Sequence, residues 1–134
     1  MTHSQAGRNG GHVAPHAWQV FGTLVKPLAE GGSGLTPEEA LDLVMFEQAN
    51  LDVVHGLLKA EGLDSSVDFW RGHRLEVITS RKEAEENIRL HALMQRTKAN
   101  STKHRDTKVD WELISDPAEA TRVSIRGLPV LIIR

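Results

Sequence analysis

The clearest rhythm of apolar and polar positions begins at Thr36. Thr36-Pro37-Glu38-Glu39 offers a capping hydroxyl, a proline at the first helical position and two acids near the positive end of a helix dipole. Leu41, Val44, Met45, Leu51, Val54, Leu57 and Leu58 then keep to one broad face, and Gly62 follows as a natural terminating glycine. The spacing predicts one amphipathic helix over Pro37 to Glu61. Beyond it, Val67 and Phe69, then Leu75, Val77 and Thr79, alternate with polar neighbours on either side of Arg71-Gly72-His73, which predicts an antiparallel hairpin over Val67 to Thr79.

Ser80 followed three residues later by Glu83 is a capping-box pattern. The helix it opens carries Ala84, Ile88, Leu90, Leu93 and Met94 and reaches roughly Thr97. Lys98 to Lys108 is polar, mostly basic and aperiodic, the signature of an exposed connection. Val109, Trp111 and Leu113 alternate as a short strand, Ser115-Asp116-Pro117-Ala118-Glu119 can start a brief helix, and Gly127 and Pro129 lead into an apolar ending. Upstream, Trp18, Val20, Phe21, Leu24, Val25 and Leu28 have a partial helical period that Gly22 and Pro27 interrupt, so this stretch is left open between helix and loop. The order of elements predicts a mixed α/β (α+β) domain of helices with short antiparallel strands.

Composition narrows the function classes. At 134 residues, 40% apolar and 25% charged, the chain has the mixture of one soluble globular domain with a modest core. Its net charge of -2 gives no global attraction to nucleic acid or to an acidic membrane surface. The absence of cysteine excludes disulfides, thiolate metal sites and cysteine nucleophiles. The longest apolar run, near Leu131 to Ile133, is far shorter than a membrane span, and Met1 to Gly11 holds no signal-like apolar stretch, so the expected location is cytoplasmic.

The most informative local sequence is Ala6-Gly7-Arg8-Asn9-Gly10-Gly11-His12. By composition alone a glycine cluster here reads as a flexible tail. Glycines also let a backbone approach a phosphate or ring closely, exposed amides donate to anionic oxygen, and an arginine adds charge-assisted donors. The order of the residues resembles the Ser/Thr-Gly-Arg-Asn-Gly-Gly segment of the D-amino-acid oxidase-like superfamily of FAD-dependent oxidoreductases, particularly its gamma-glutamylputrescine oxidase-like branch. The resemblance continues through Phe46-Glu47, Glu61-Gly62-Leu63-Asp64, Leu75-Glu76-Val77, the glutamate-rich helix after Ser80 and Trp111-Glu112-Leu113, in order and spacing from Gly7 to about Arg122.

That resemblance implies a partial FAD-oxidoreductase fold, with residues 1–35 a flavin-proximal loop and connector and residues 36–134 part of the oxidoreductase domain. It implies FAD as cofactor, with Gly7, Arg8, Asn9, Gly10 and Gly11 as flavin neighbours and His12 as an edge contact. The family's G-x-G-x-x-G turn and ribose-holding acid would precede Ala6, where five residues stand, and its later substrate-domain strands would follow Arg134. The dinucleotide-binding βαβ start is therefore expected to be missing, no catalytic residue is assigned, and the chain alone is expected to be inactive. Its partners would be a small amine or amino acid once the fold is completed, with self-association as a further option. The alternative is a small non-catalytic interaction or structural module derived from the family.

Other constellations are weaker. His12 and His16 have the i, i+4 spacing of a helical metal pair with His3 nearby, but Pro15 opposes a continuous helix, so no metal is expected. His55 and His91 read as surface or helix-packing residues. Arg96, Lys98, Lys103, Arg105 and Lys108 lack interleaved aromatics and read as a solvated connector, while Trp18, Trp70 and Trp111 read as core or half-buried anchors.

Overall fold

The structure, a computed structural model, describes residues 17–69, 74–78, 80–109, 111–116, 118–119 and 130–133. Among these residues, three α-helices, α1 (Trp18–Val25), α2 (Pro37–Ala60) and α3 (Arg81–Asn100), are accompanied by three short strands, β1 (Arg74–Val77), β2 (Trp111–Ile114) and β3 (Val130–Ile133). The helices dominate, and α1, α2 and α3 pack on one another.

The cap of α2 forms as its sequence dictates. The Thr36 hydroxyl accepts the Glu39 N–H at 3.3 Å, and the Glu39 carboxylate takes the Thr36 N–H at 2.9 Å and its hydroxyl at 2.7 Å. Both halves of a capping box are thus present. These bonds, the hydroxyl first, hold the Glu39 carboxyl below its ordinary range. At the other end Gly62 takes φ +64°, the left-handed conformation that a terminating glycine adopts without strain. Replacing Thr36 with Ala removes the hydroxyl from both bonds, and chemical denaturation is expected to show a loss of about 1 kcal/mol. A midpoint equal to that of the unaltered chain would show that solvent satisfies these groups as well.

The α3 cap forms by halves: the Ser80 hydroxyl accepts the Glu83 N–H at 3.1 Å, while no reciprocal bond from Glu83 accompanies it. The helix runs three residues past the predicted end, to Asn100, because nothing between Thr97 and Ser101 breaks it.

The stretch from Trp18 is a helix despite Gly22. The glycine sits where α1 meets α3, and a β-carbon there would lie 2.5 Å from Leu90 Cδ1. Its missing side chain, which lowers helix propensity, is what allows the close approach. The core comprises Ala17, Trp18 and Phe21 at α1, Ala40, Leu41, Val44 and Met45 on α2, Leu90 and Met94 on α3, and Trp111 on β2. Residues of the 1–35 stretch therefore share a core with those of 36–134.

The broad apolar face expected along α2 is only partly covered. Leu41, Val44 and Met45 are buried and Leu51 and Leu58 half-buried, but Val54 and Leu57 are exposed. Geometry supplies the reason: at about 100° per residue, Val54 and Leu57 fall about 220° and about 160° round the helix from buried Leu41, on the side turned away from α1 and α3. Leu43, Phe46 and Val53 are exposed on the same side as Val54 and Leu57.

The hairpin expected over Val67 to Thr79 is not formed. Backbone N–H groups after α2 are satisfied locally, Ser66 to Leu63 O at 3.0 Å, Val67 to Leu63 O at 3.1 Å and Phe69 to Asp64 O at 2.8 Å, so this segment turns and leaves no ladder to pair. Arg71-Gly72-His73 and Thr79 lie outside the described residues. The second predicted strand does exist as β1, but its partner is β3, with Leu75 opposite Ile132. β3 also pairs antiparallel with β2, Leu113 opposite Leu131, giving the sheet order β1-β3-β2. The apolar ending, assigned no element by periodicity, is thus the central strand. Of the brief helix expected after Ser115, Ala118 and Glu119 are helical, and Asp116 Oδ1 accepts the Ala118 N–H at 3.0 Å as a capping acid would.

Candidate functional site

The residues singled out for a flavin, Gly7, Arg8, Asn9, Gly10, Gly11 and His12, lie outside the described residues, as do His3 and His16. As a donor set, glycine amides, a guanidinium and a carboxamide suit an anion such as a pyrophosphate. Within the described residues, three polar groupings stand out.

The first joins the start of α2 to the turn after α3. Ser101, only 2% exposed, donates its hydroxyl to Glu38 Oε1 at 2.5 Å and accepts the backbone N–H groups of Lys103 at 3.2 Å and His104 at 3.1 Å. Asp42, one turn beyond Glu38, accepts from Lys103 Nζ at 2.7 Å and from His104 Nε2 at 2.6 Å. A carboxylate only accepts, so the His104 proton is assigned to Nε2. The Lys103 hydrogen bond, followed by that from His104, holds the Asp42 carboxyl below its ordinary range, and the same contact raises Lys103. A serine, a histidine and two carboxylates in one place invite comparison with nucleophilic sites. Here the serine oxygen organises a turn and is closed to a substrate, so the cluster acts as a clamp between two helix ends. The segment Lys98 to Lys108 is accordingly not a simple exposed connection: Ser101 is buried, His104 is half-buried, and Lys98 Nζ ties to Arg105 O at 2.9 Å.

The second grouping lies in the α1–α3 seam. Trp18 Nε1 donates to Asn87 Oδ1 at 2.8 Å, and Asn87 Nδ2 donates to Glu83 O at 2.9 Å, so this buried amide has partners for both its oxygen and its nitrogen. The His91 ring meets Trp18 edge-on, with centroids 4.7 Å apart, and its Nε2 lies 3.2 Å from the Gln95 amide nitrogen. With Gln95 oriented this way, the amide donates to a neutral ring, an acceptor that protonation removes. Burial lowers the His91 pKa, and α1 contains no ionisable side chain to offset the effect.

This shift has a sign that can be measured. Above about pH 6.5 the ring is neutral in folded and unfolded chains alike. As the pH falls below that, the unfolded chain binds the proton first, so stability is lost progressively until the folded ring titrates as well. Denaturation midpoints taken from about pH 7.5 down to about pH 5 should therefore fall more for the unaltered chain than for His91→Gln. Equal falls would remove His91 as the cause.

The third grouping is the near-parallel stack of His55 in α2 on Phe69, centroids 5.4 Å apart at 18°. It pins the turn after α2 and is a packing contact. Trp111 is buried, and its indole Nε1 lacks a hydrogen-bond partner among the described residues. Those residues also contain no group of three or more His, Cys, Asp or Glu able to hold a metal. No helix among them is long and apolar enough to cross a membrane.

Of the histidines weighed in the sequence, His55 and His91 are helix-packing residues. Trp18 and Trp111 are core anchors, while Trp70 lies outside the described residues. Asn87, Ser101, Asp42 and His104 were not anticipated. Asn87 had a signal, since it falls three residues from both Ala84 and Leu90, on the apolar line of α3. The clamp had none, because its two halves are 61 to 63 residues apart.

No protein-family model, no curated protein and no solved structure matches this chain.

Proposed function

We propose that this chain is a portion of an FAD-dependent oxidoreductase acting on amines or amino acids, and that alone it neither retains FAD nor oxidises an amine. The observation that carries the reading is the residue order Ala6-Gly7-Arg8-Asn9-Gly10-Gly11-His12. Phe46-Glu47, Leu75-Glu76-Val77 and Trp111-Glu112-Leu113, which continue the resemblance, fall within α2, β1 and β2 respectively. When bound, FAD would supply the hydride acceptor for oxidation of an amine to an imine. The contribution of this chain would be one wall of the cofactor site: backbone amides of the glycines and the Arg8 guanidinium facing anionic oxygen.

One wall gives weak binding. Between Met1 and Arg134 there is no G-x-G-x-x-G sequence, so residues 7–12 would offer few contacts to offset the ligand's lost freedom. Titration with FAD should give a dissociation constant of about 1 mM or weaker, with perturbations confined to residues 7–12 and abolished by Arg8→Ala. No cofactor should survive gel filtration, and peroxide production across a panel of amines should equal that of free FAD. A complete absence of perturbation would remove the flavin reading. Stoichiometric FAD after gel filtration would show instead that the chain completes the site itself.

A second reading, a small non-catalytic interaction module, is favoured by one observation. Leu43, Phe46, Val53 and Leu57 of α2 are all exposed, while the opposite side of the helix packs on α1 and α3. A normal interaction surface combined with absence of any FAD perturbation would support it.

A further inference from the structure

We draw no further inference here: the strongest candidate, the exposed apolar stripe of α2 formed by Leu43, Phe46, Val53 and Leu57, carries nothing because nothing in the structure shows what covers it.

Discussion

Replacing Trp18 with Ala is expected to unfold a large fraction of the molecules. The side chain is completely buried, belongs to the core shared by all three helices and supplies the only ring that His91 meets among the described residues. Truncating a buried tryptophan costs about 3–5 kcal/mol through lost transfer energy and the cavity left behind. Loss of the indole N–H also leaves Asn87 Oδ1, 2.8 Å away, without that donor in a buried site, which adds about 1 kcal/mol. Domains of this size are stable by only about 5–15 kcal/mol, so the sum is a large share of the total. Circular dichroism should show a reduced helical signal and a urea midpoint shifted far down or lost. Trp18→Phe keeps much of the ring volume while removing the donor, and should fall between the two. If Trp18→Ala remained within about 1 kcal/mol of the unaltered chain, the α1–α3 seam would not be what holds α1 in place.

How much of this was legible beforehand depended on whether the information was local. The α2 boundaries were readable because cap, proline, acids and terminating glycine all lie within a few residues of the helix ends, and each acts on the backbone next to it. The failed hairpin shows the opposite case. Val67 and Phe69 alternate like a strand, yet local turn bonds satisfy their segment, and β1 finds its partner more than fifty residues later in Val130–Ile133. Alternation identifies a strand with one face covered; it says nothing about which strand will lie beside it. β3 escaped notice because it is paired on both sides and reads as a continuous apolar run, without the period of two.

The candidate site divides along the same line. Gly7 to His12, which lie outside the described residues, form a contiguous segment, so a resemblance in residue order can pick them out with no knowledge of the fold. The clamp of Glu38 and Asp42 with Ser101, Lys103 and His104 needs two helix ends brought together, and neither half is unusual by itself. The full apolar length of α2 was readable, but its burial was not. Burial follows which side the neighbours cover, and Val54 and Leu57 lie on the side of α2 turned away from α1 and α3.

Gly22 and Gly56 provide a pair of substitutions with opposite expected signs. Both lie within helices, and at both a larger residue gains helix propensity, up to about 1 kcal/mol for Ala. Their surroundings differ. A β-carbon at Gly56 would meet nothing within 4 Å, so Gly56→Ala should stabilise the chain by about 0.5–1 kcal/mol. At Gly22 the new atom would lie 2.5 and 2.7 Å from the two methyl carbons of Leu90, a residue that is itself buried and so has little room to move. Gly22→Val adds two further methyls to that contact, and the β-branched side chain recovers less propensity than Ala would. The expected cost is about 2–3 kcal/mol, from overpacking the seam that Trp18 also occupies. Combining Gly22→Val with Leu90→Ala tests the cause, because the smaller residue makes space for the larger. The double variant should be more stable than the sum of the two single losses by about 1 kcal/mol or more. Strict additivity, with Gly22→Val as harmless as Gly56→Ala, would mean that α1 does not approach α3 as closely as the Gly22 to Leu90 contact requires.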